Sequence, residues 1–261
     1  MQFSELLHGI KRDGGNAIWE VHPEWMQGRA VFGGLQAVLA LQAMRGLVPA
    51  EIPLRALQVT FLAPCTSSHI EARATVLREG RSVVQVEARL TDGDNPLAIV
   101  TAVFGRPRES RLHLMPVMPA VRRDNAREFR YIPGLVPAFI QHFSATWLRG
   151  GFPFSGMEDA GLVVELGMRG EAGSSESHVV AMADFIPPIG LSWMTEPTPG
   201  SSVTWMLEIL TEQVDGLPMD GWRVDAEMVA ADSGYTHQSL TLWGPQGQPI
   251  ALGRQTMVVF G

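Results

Sequence analysis

The sequence predicts an α+β chain made of two tandem copies of one unit, each a helix packed on a curved antiparallel sheet. Three observations lead there. The first is a duplication. Gly80-Arg-Ser-Val-Val-Gln-Val-Glu-Ala-Arg-Leu-Thr-Asp-Gly-Asp-Asn-Pro-Leu-Ala and Gly234-Tyr-Thr-His-Gln-Ser-Leu-Thr-Leu-Trp-Gly-Pro-Gln-Gly-Gln-Pro-Ile-Ala follow one plan. Each is an alternating strand, a turn, a Pro-aliphatic-Ala step and a second strand closing on Phe104-Gly105 or Phe260-Gly261. Gly80 to Gly234 and Pro96 to Pro249 span almost the same length of chain. The second observation is the period-2 alternation of these segments, which suits half-buried strands. The third is that one helical segment precedes the strand run in each half.

In the first half, Ala17 to His22 reads as a short strand. Trp25-Met-Gln-Gly-Arg-Ala-Val-Phe-Gly-Gly then delivers two glycines to the head of a helix running from about Gly34 to Arg45. Leu35, Val38, Leu39, Leu41 and Gln42 recur at helical spacing, and Gly46 with Pro49 supplies the stop. Strands follow at 54–64, 70–77, 82–91 and 97–104, with Asp92-Gly93 marking the last turn. Arg106, Arg108, Arg111, Arg122, Arg123, Arg127 and Arg130 crowd the stretch after them, which reads as a solvated connector across the surface. A phosphate contact is the alternative use of these arginines.

The second half opens with strands near 138–148 and 162–168. Ser174-Ser-Glu-Ser-His heads a helix from about Glu176 to Ile186, with serines placed to cap its free N–H groups. Pro187-Pro188 closes it. Strands follow at 202–210, 223–230, 235–243 and 249–260. The expected organisation is therefore a first unit over 1–108, a linker over 109–132 and a second unit over 133–261.

Composition narrows the function. Hydrophobic residues make up 46% and charged residues 18% of the 261 residues, the profile of an ordinary globular chain with enough length for a large core. The net charge of −7 opposes general electrostatic binding of nucleic acid. The single Cys65 allows neither an internal disulfide nor a cysteine zinc site, which suits a reducing cytosol. No apolar run is long enough to span a membrane, and the first residues show no basic-then-apolar secretory pattern. The expectation is a cytoplasmic protein without membrane contact.

Several chemistries lack their motif. There is no Gly-x-Ser-x-Gly elbow, and the seven histidines form no close-spaced pair, so no metal is expected.

The chain resembles the type II acyl-CoA thioesterases and their thioesterase-like relatives. In the first half the likeness rests on Gly28-Arg-Ala-Val-Phe-Gly-Gly-Leu-Gln, Leu57-Gln-Val-Thr-Phe-Leu-Ala-Pro and Leu77-Arg-Glu-Gly-Arg-Ser. In the second it rests on Ala181-Met-Ala-Asp-Phe and Gln248-Pro-Ile-Ala-Leu-Gly-Arg-Gln255. That resemblance implies a double hot-dog fold, an acyl-CoA substrate, no cofactor, and a homodimer or higher homo-oligomer.

Thioester hydrolysis needs donors for the developing oxyanion and a held, partly deprotonated water. Gly33 and Gly34, at a helix N-terminus, suit the first need, because free N–H groups point outward and glycine allows close approach. Tight helix–sheet packing explains the same glycines. Trp25, Phe32 and Met182 are candidates to line an acyl tunnel, and core packing explains each equally. The resemblance implies that Gln255 helps to hold the water; the corresponding place in the first copy, about Ala102, has no side chain for it.

The family's aspartate is expected early in the strand after the second helix, and Thr204 stands there. Threonine holds a water but is no base near neutral pH. Three acids compete for that role. Asp225 and Glu227 alternate onto one face with Arg223, either as a base beside Thr204 or as a salt-bridged solvent face. Asp184 sits in an apolar stretch near the end of its helix, where the dipole disfavours a carboxylate; it is either a base, or a carboxylate that is bonded to a neighbouring strand or simply exposed. A non-catalytic acyl-CoA or lipid-binding module is the alternative function. A hot-dog hydratase fits less well, because Ala98 stands where that family has its histidine.

Overall fold

A computed structural model describes residues 1–260; the predicted terminal Gly261 lies outside the described residues. The first half contains α1 (Phe3–Gly9), β1 (Lys11–Asp13), β2 (Asn16–Glu20), a small hairpin of β3 (Met26–Gln27) and β4 (Ala30–Val31), and α2 (Gly33–Arg45). It continues with β5 (Leu54–Phe61), β6 (His69–Glu79), β7 (Val83–Asp92) and β8 (Asn95–Gly105). The second half contains β9 (Arg127–Phe129), β10 (Phe143–Arg149), β11 (Gly161–Met168), α3 (Glu176–Ala183), β12 (Gly200–Ile209), β13 (Trp222–Asp232), β14 (Tyr235–Trp243) and β15 (Pro249–Val259).

The main strands form one 13-stranded antiparallel sheet in the order β1-β2-β6-β7-β8-β5-β12-β15-β14-β13-β11-β10-β9. The halves mirror each other about the β5–β12 pair, where Thr204 faces Thr60 and Glu208 faces Ala56. Both strands follow the helix of their own half, so the duplication seen in the sequence becomes a continuous sheet with two helices on its inner side.

α2 is buried nearly all round, with Leu35, Val38, Leu39 and Leu41 at 1% exposure or less. Such a helix is a core element rather than a surface one. α3 packs against it in the opposite direction: Gln42 Nε2 donates to Ser177 Oγ at 2.8 Å, and Arg45 pairs with Glu176 at 2.6 Å. At the other end, a Cβ on Gly34 would stand 3.2 Å from the Ala181 carbonyl oxygen. The Phe32 ring would be nearer still, at 2.8 Å, so the ring and the close approach of the two helices together leave room only for glycine.

The structure departs from the sequence reading in places. The second helix stops at Ala183 rather than Ile186, and Asp184 is its C-cap. Residues 138–142 form a 3-10 turn ahead of β10 instead of the start of a strand. The arginine-rich connector is mostly irregular, but its end pairs as β9 with β10. α1 and β1 went unread because each spans under two helical turns or three residues. No helix among the described residues is long and apolar enough to cross a membrane.

Candidate active site

The antiparallel helices bring the C-cap of α3 to the N-terminus of α2. Phe32 caps α2 without a side-chain bond; the Leu35 N–H turns back to the Phe32 carbonyl at 3.1 Å, which leaves the Gly33 and Gly34 N–H groups for a partner outside the helix. Asp184 faces them. A Cβ on Gly33 would lie 2.8 Å from Asp184 Oδ2. The unfavourable end of one dipole is therefore offset by the favourable end of another.

Asp184 is 9% exposed. Burial pushes its carboxyl up to about 7, while the hydrogen bonds from Gln255 and from the Gly34 backbone pull it down. A carboxyl poised there accepts and returns a proton near neutral pH.

Gln255 lies on β15 opposite Trp205 of β12 and Gln238 of β14. It is a buried, central-strand residue (1% exposed) rather than a solvent-facing one. Its Nε2 donates to Asp184 Oδ1 at 2.5 Å. Its Oε1 accepts from Gln238 Nε2 at 3.2 Å, and Gln238 Oε1 accepts from the Ile189 N–H at 3.0 Å. A backbone N–H can only donate, so it fixes the orientation of Gln238, which fixes Gln255, which presents an N–H to the carboxyl.

A cavity of about 500 Å³ opens on this centre. Gly33, Gln36, Phe61, Asp184, Ser202 and Met257 are among its walls. Ser202 enters because β12 is irregular between Ser202 and Thr204. Ser202 pairs with the inward Met257, whereas Thr204 pairs with Thr256 and Thr60. Those partners place Thr204 on the face away from Gln255. The structure therefore does not bring Thr204 to Asp184 and Gln255, whereas Ser202 lines the cavity beside them.

Glu227 and Asp225 are also placed elsewhere. β13 is separated from β12 by β15 and β14, a span of about 14 Å at normal strand spacing. Asp225 is gripped by Arg223 at 2.5 and 2.6 Å, and Arg223 also donates to the Pro119 carbonyl at 2.8 Å, tying down the connector. Glu227 lines a different groove, alongside Arg149 and Arg223. This is a charged outer face.

Gly33 and Gly34 are brought to the site, though the Gly34 N–H is engaged by Asp184. Trp25 and Phe32 are not in the cavity wall. Trp25 stacks on His142 with centroids 4.0 Å apart, and Phe32 stacks on Phe139 at 4.1 Å. Met182 is fully buried in the same core. Cys65 is buried, and burial pushes its thiol up to about 11, which leaves it unreactive.

Two residues of this arrangement were missed from sequence: Ser202 and Gln238. The strand irregularity that turns Ser202 inward has no signal in the residue types. Gln238 sits at an inward position of an alternating strand, and a polar residue there was the available clue.

The family model for the acyl-CoA thioesterase N-terminal domain matches residues 21–105, and that for the C-terminal domain matches residues 115–259. Comparison with curated protein sequences gave no match. Among solved structures, a conserved protein of unknown function with hot-dog fold from Alicyclobacillus acidocaldarius is similar with a TM-score of 0.88 at 22% identity, covering 100% of this chain and 99% of that one. The tesB protein of Mycobacterium avium subs paratuberculosis gives 0.79 at 15% identity over 100% of both chains. The acyl-CoA thioesterase II TesB2 of Mycobacterium marinum gives 0.73 at 15% identity, covering 98% and 97%.

Proposed function

The chain belongs to the acyl-CoA thioesterase family, and from that premise we propose that it hydrolyses an acyl-CoA to a free acid and CoA by attack of water on the thioester carbonyl. The fold is a double hot-dog, with units over 1–108 and 133–261 joined by the connector 109–132. The observation that carries the reading is the Asp184 carboxyl, held between Gln255 and the N-terminus of α2 and raised to about 7.

In this reading the acyl-CoA enters the 500 Å³ cavity with its thioester carbonyl against the head of α2. The Gly33 N–H and the helix dipole stabilise the oxyanion as it forms. Asp184 takes a proton from a water held with help from the Ser202 hydroxyl. Gln255 orients the carboxylate so that one oxygen stays free for that proton. The water oxygen bonds to the carbonyl carbon, the tetrahedral intermediate collapses, and the carbon–sulfur bond breaks. The departing thiolate takes the proton from Asp184, which resets the base.

The test is release of free thiol from short, medium, long and aromatic acyl-CoAs by the native chain, Asp184→Asn and Gln255→Ala. Turnover that collapses in both variants supports the reading. Binding of acyl-CoA without thiol release by the native chain would move it to the binding-module alternative.

A further inference from the structure

The helix pair makes a second junction, at the N-terminus of α3. Here Ser175 Oγ lies 2.7 Å from His178 Nδ1, and His178 Nε2 lies 3.1 Å from Glu171 Oε2. Glu171 also accepts from the Ser4 N–H at 3.1 Å. The His178 and Glu171 side chains are only 5% and 2% exposed. A buried carboxylate beside Nε2 takes the N–H there, which leaves the Nδ1 lone pair facing the serine hydroxyl.

The bland reading of this cluster is a helix cap, and it fails on one point. A cap serine accepts from a first-turn N–H, but Ser175 makes no cap hydrogen bond. Its hydroxyl turns to the imidazole instead. The first-turn N–H groups of α3 are thus left without a side-chain cap, next to a hydroxyl already bonded to a base. Ser175 is half-buried and borders a cavity of about 560 Å³, with Leu54, Val179, Ile209 and Val214 among its walls.

We propose that Ser175, His178 and Glu171 form a second acyl-transfer site, acting on a small ester or thioester independently of Asp184. Ser175 is the nucleophile, His178 the base, and Glu171 a positioning residue. Ser175 Oγ bonds to the carbonyl carbon while its proton passes to His178 Nδ1. The carbonyl oxygen turns to the first-turn N–H groups of α3. The bond to the leaving alkoxide or thiolate breaks, and that group takes the proton from His178. Water then bonds to the acyl carbon as the same imidazole takes its proton, and the bond to Ser175 Oγ breaks as that oxygen takes the proton back from His178, which releases the acid. Burial pulls the His178 pKa below its usual value against the pull of Glu171, which favours the neutral imidazole a base requires.

The experiment is reaction with a fluorophosphonate probe, in which the serine oxygen bonds to phosphorus and fluoride leaves. The adduct is located by peptide mass spectrometry, and folding of each variant is checked by thermal unfolding. The expected result is labelling of Ser175 in the native chain and equally in Asp184→Asn, with none at that peptide in Ser175→Ala. In Glu171→Gln, where the hydrogen bond survives and the charge does not, labelling slows at least tenfold and its pH profile moves to lower pH. A folded native chain unlabelled at Ser175 overturns the proposal. So does labelling of Glu171→Gln at the native rate and profile, because the hydroxyl would then react without the relay.

Discussion

Gln255 Nε2 donates to Asp184 Oδ1 across 2.5 Å, joining the last strand to the cap of α3. The bond crosses between two elements far apart in sequence, and it sits where the N-terminus of α2 faces the same carboxyl. Three elements from both halves therefore converge on one titrating group.

Asp184→Asn removes the proton acceptor while keeping its size. Thiol release from the preferred acyl-CoA is expected to fall by about 10²–10⁴-fold, the usual contribution of a general base. Steady-state kinetics with purified protein check this. A variant within threefold of native activity would remove Asp184 from the chemistry.

The raised carboxyl also sets two pH trends of opposite sign. In the proposed mechanism the ionised carboxylate is the base, so kcat/KM should rise with pH through about 7 and then level off. Stability runs the other way. Between its unfolded value and about 7, the native carboxyl holds a proton that the unfolded chain has released, so stability falls as pH rises across that window. The full difference is on the order of 4 kcal/mol. Asn cannot titrate, so Asp184→Asn should gain stability relative to the native chain at pH 8 and lose that advantage at pH 4. Denaturant unfolding at both pH values measures it.

Gln238 acts through Gln255. Gln238→Leu leaves the Ile189 N–H unpaired and frees the Gln255 amide to turn. A stability loss of about 1–3 kcal/mol follows from the orphaned donor, together with a fall in kcat of about tenfold. Gln238→Glu is the control: its carboxylate still accepts from Ile189 but has no hydrogen for Gln255 Oε1. Its charge is buried without a cation and faces the Gln255 oxygen, so it should lose at least as much stability as Gln238→Leu, and comparable activity.

The general architecture was legible because it is written in periodicity: alternating strands, glycine-led α2, and the repeat from Gly80 to Gly234. Gln255 stands out in the sequence through the asymmetry with Ala102, and the structure places it, buried, against Asp184. The sequence does not rank Asp184, Asp225 and Glu227, because all three are plausible carboxylates on paper. What separates them is the antiparallel packing of α2 on α3, a tertiary fact that buries one and leaves the others on a charged face with Arg223. Thr204 misled for a related reason. Register along β12 looks like simple alternation until the irregularity after Ser202 reverses it.

That reversal gives the sharpest contrast. Ser202→Ala deletes a hydroxyl from the cavity wall, and kcat should drop about tenfold or more as the water loses a partner. Thr204→Val deletes a hydroxyl from the opposite face, where its strand neighbours are Thr60 and Thr256. It should leave kcat and KM within about twofold and change stability by under about 1 kcal/mol, the usual scale for a surface substitution. Side-by-side kinetics of the two variants decide the register. If Thr204→Val were the impaired one, the strand would have to run in simple alternation, Gln255 would have a different neighbour, and the water site would need to be rebuilt around threonine.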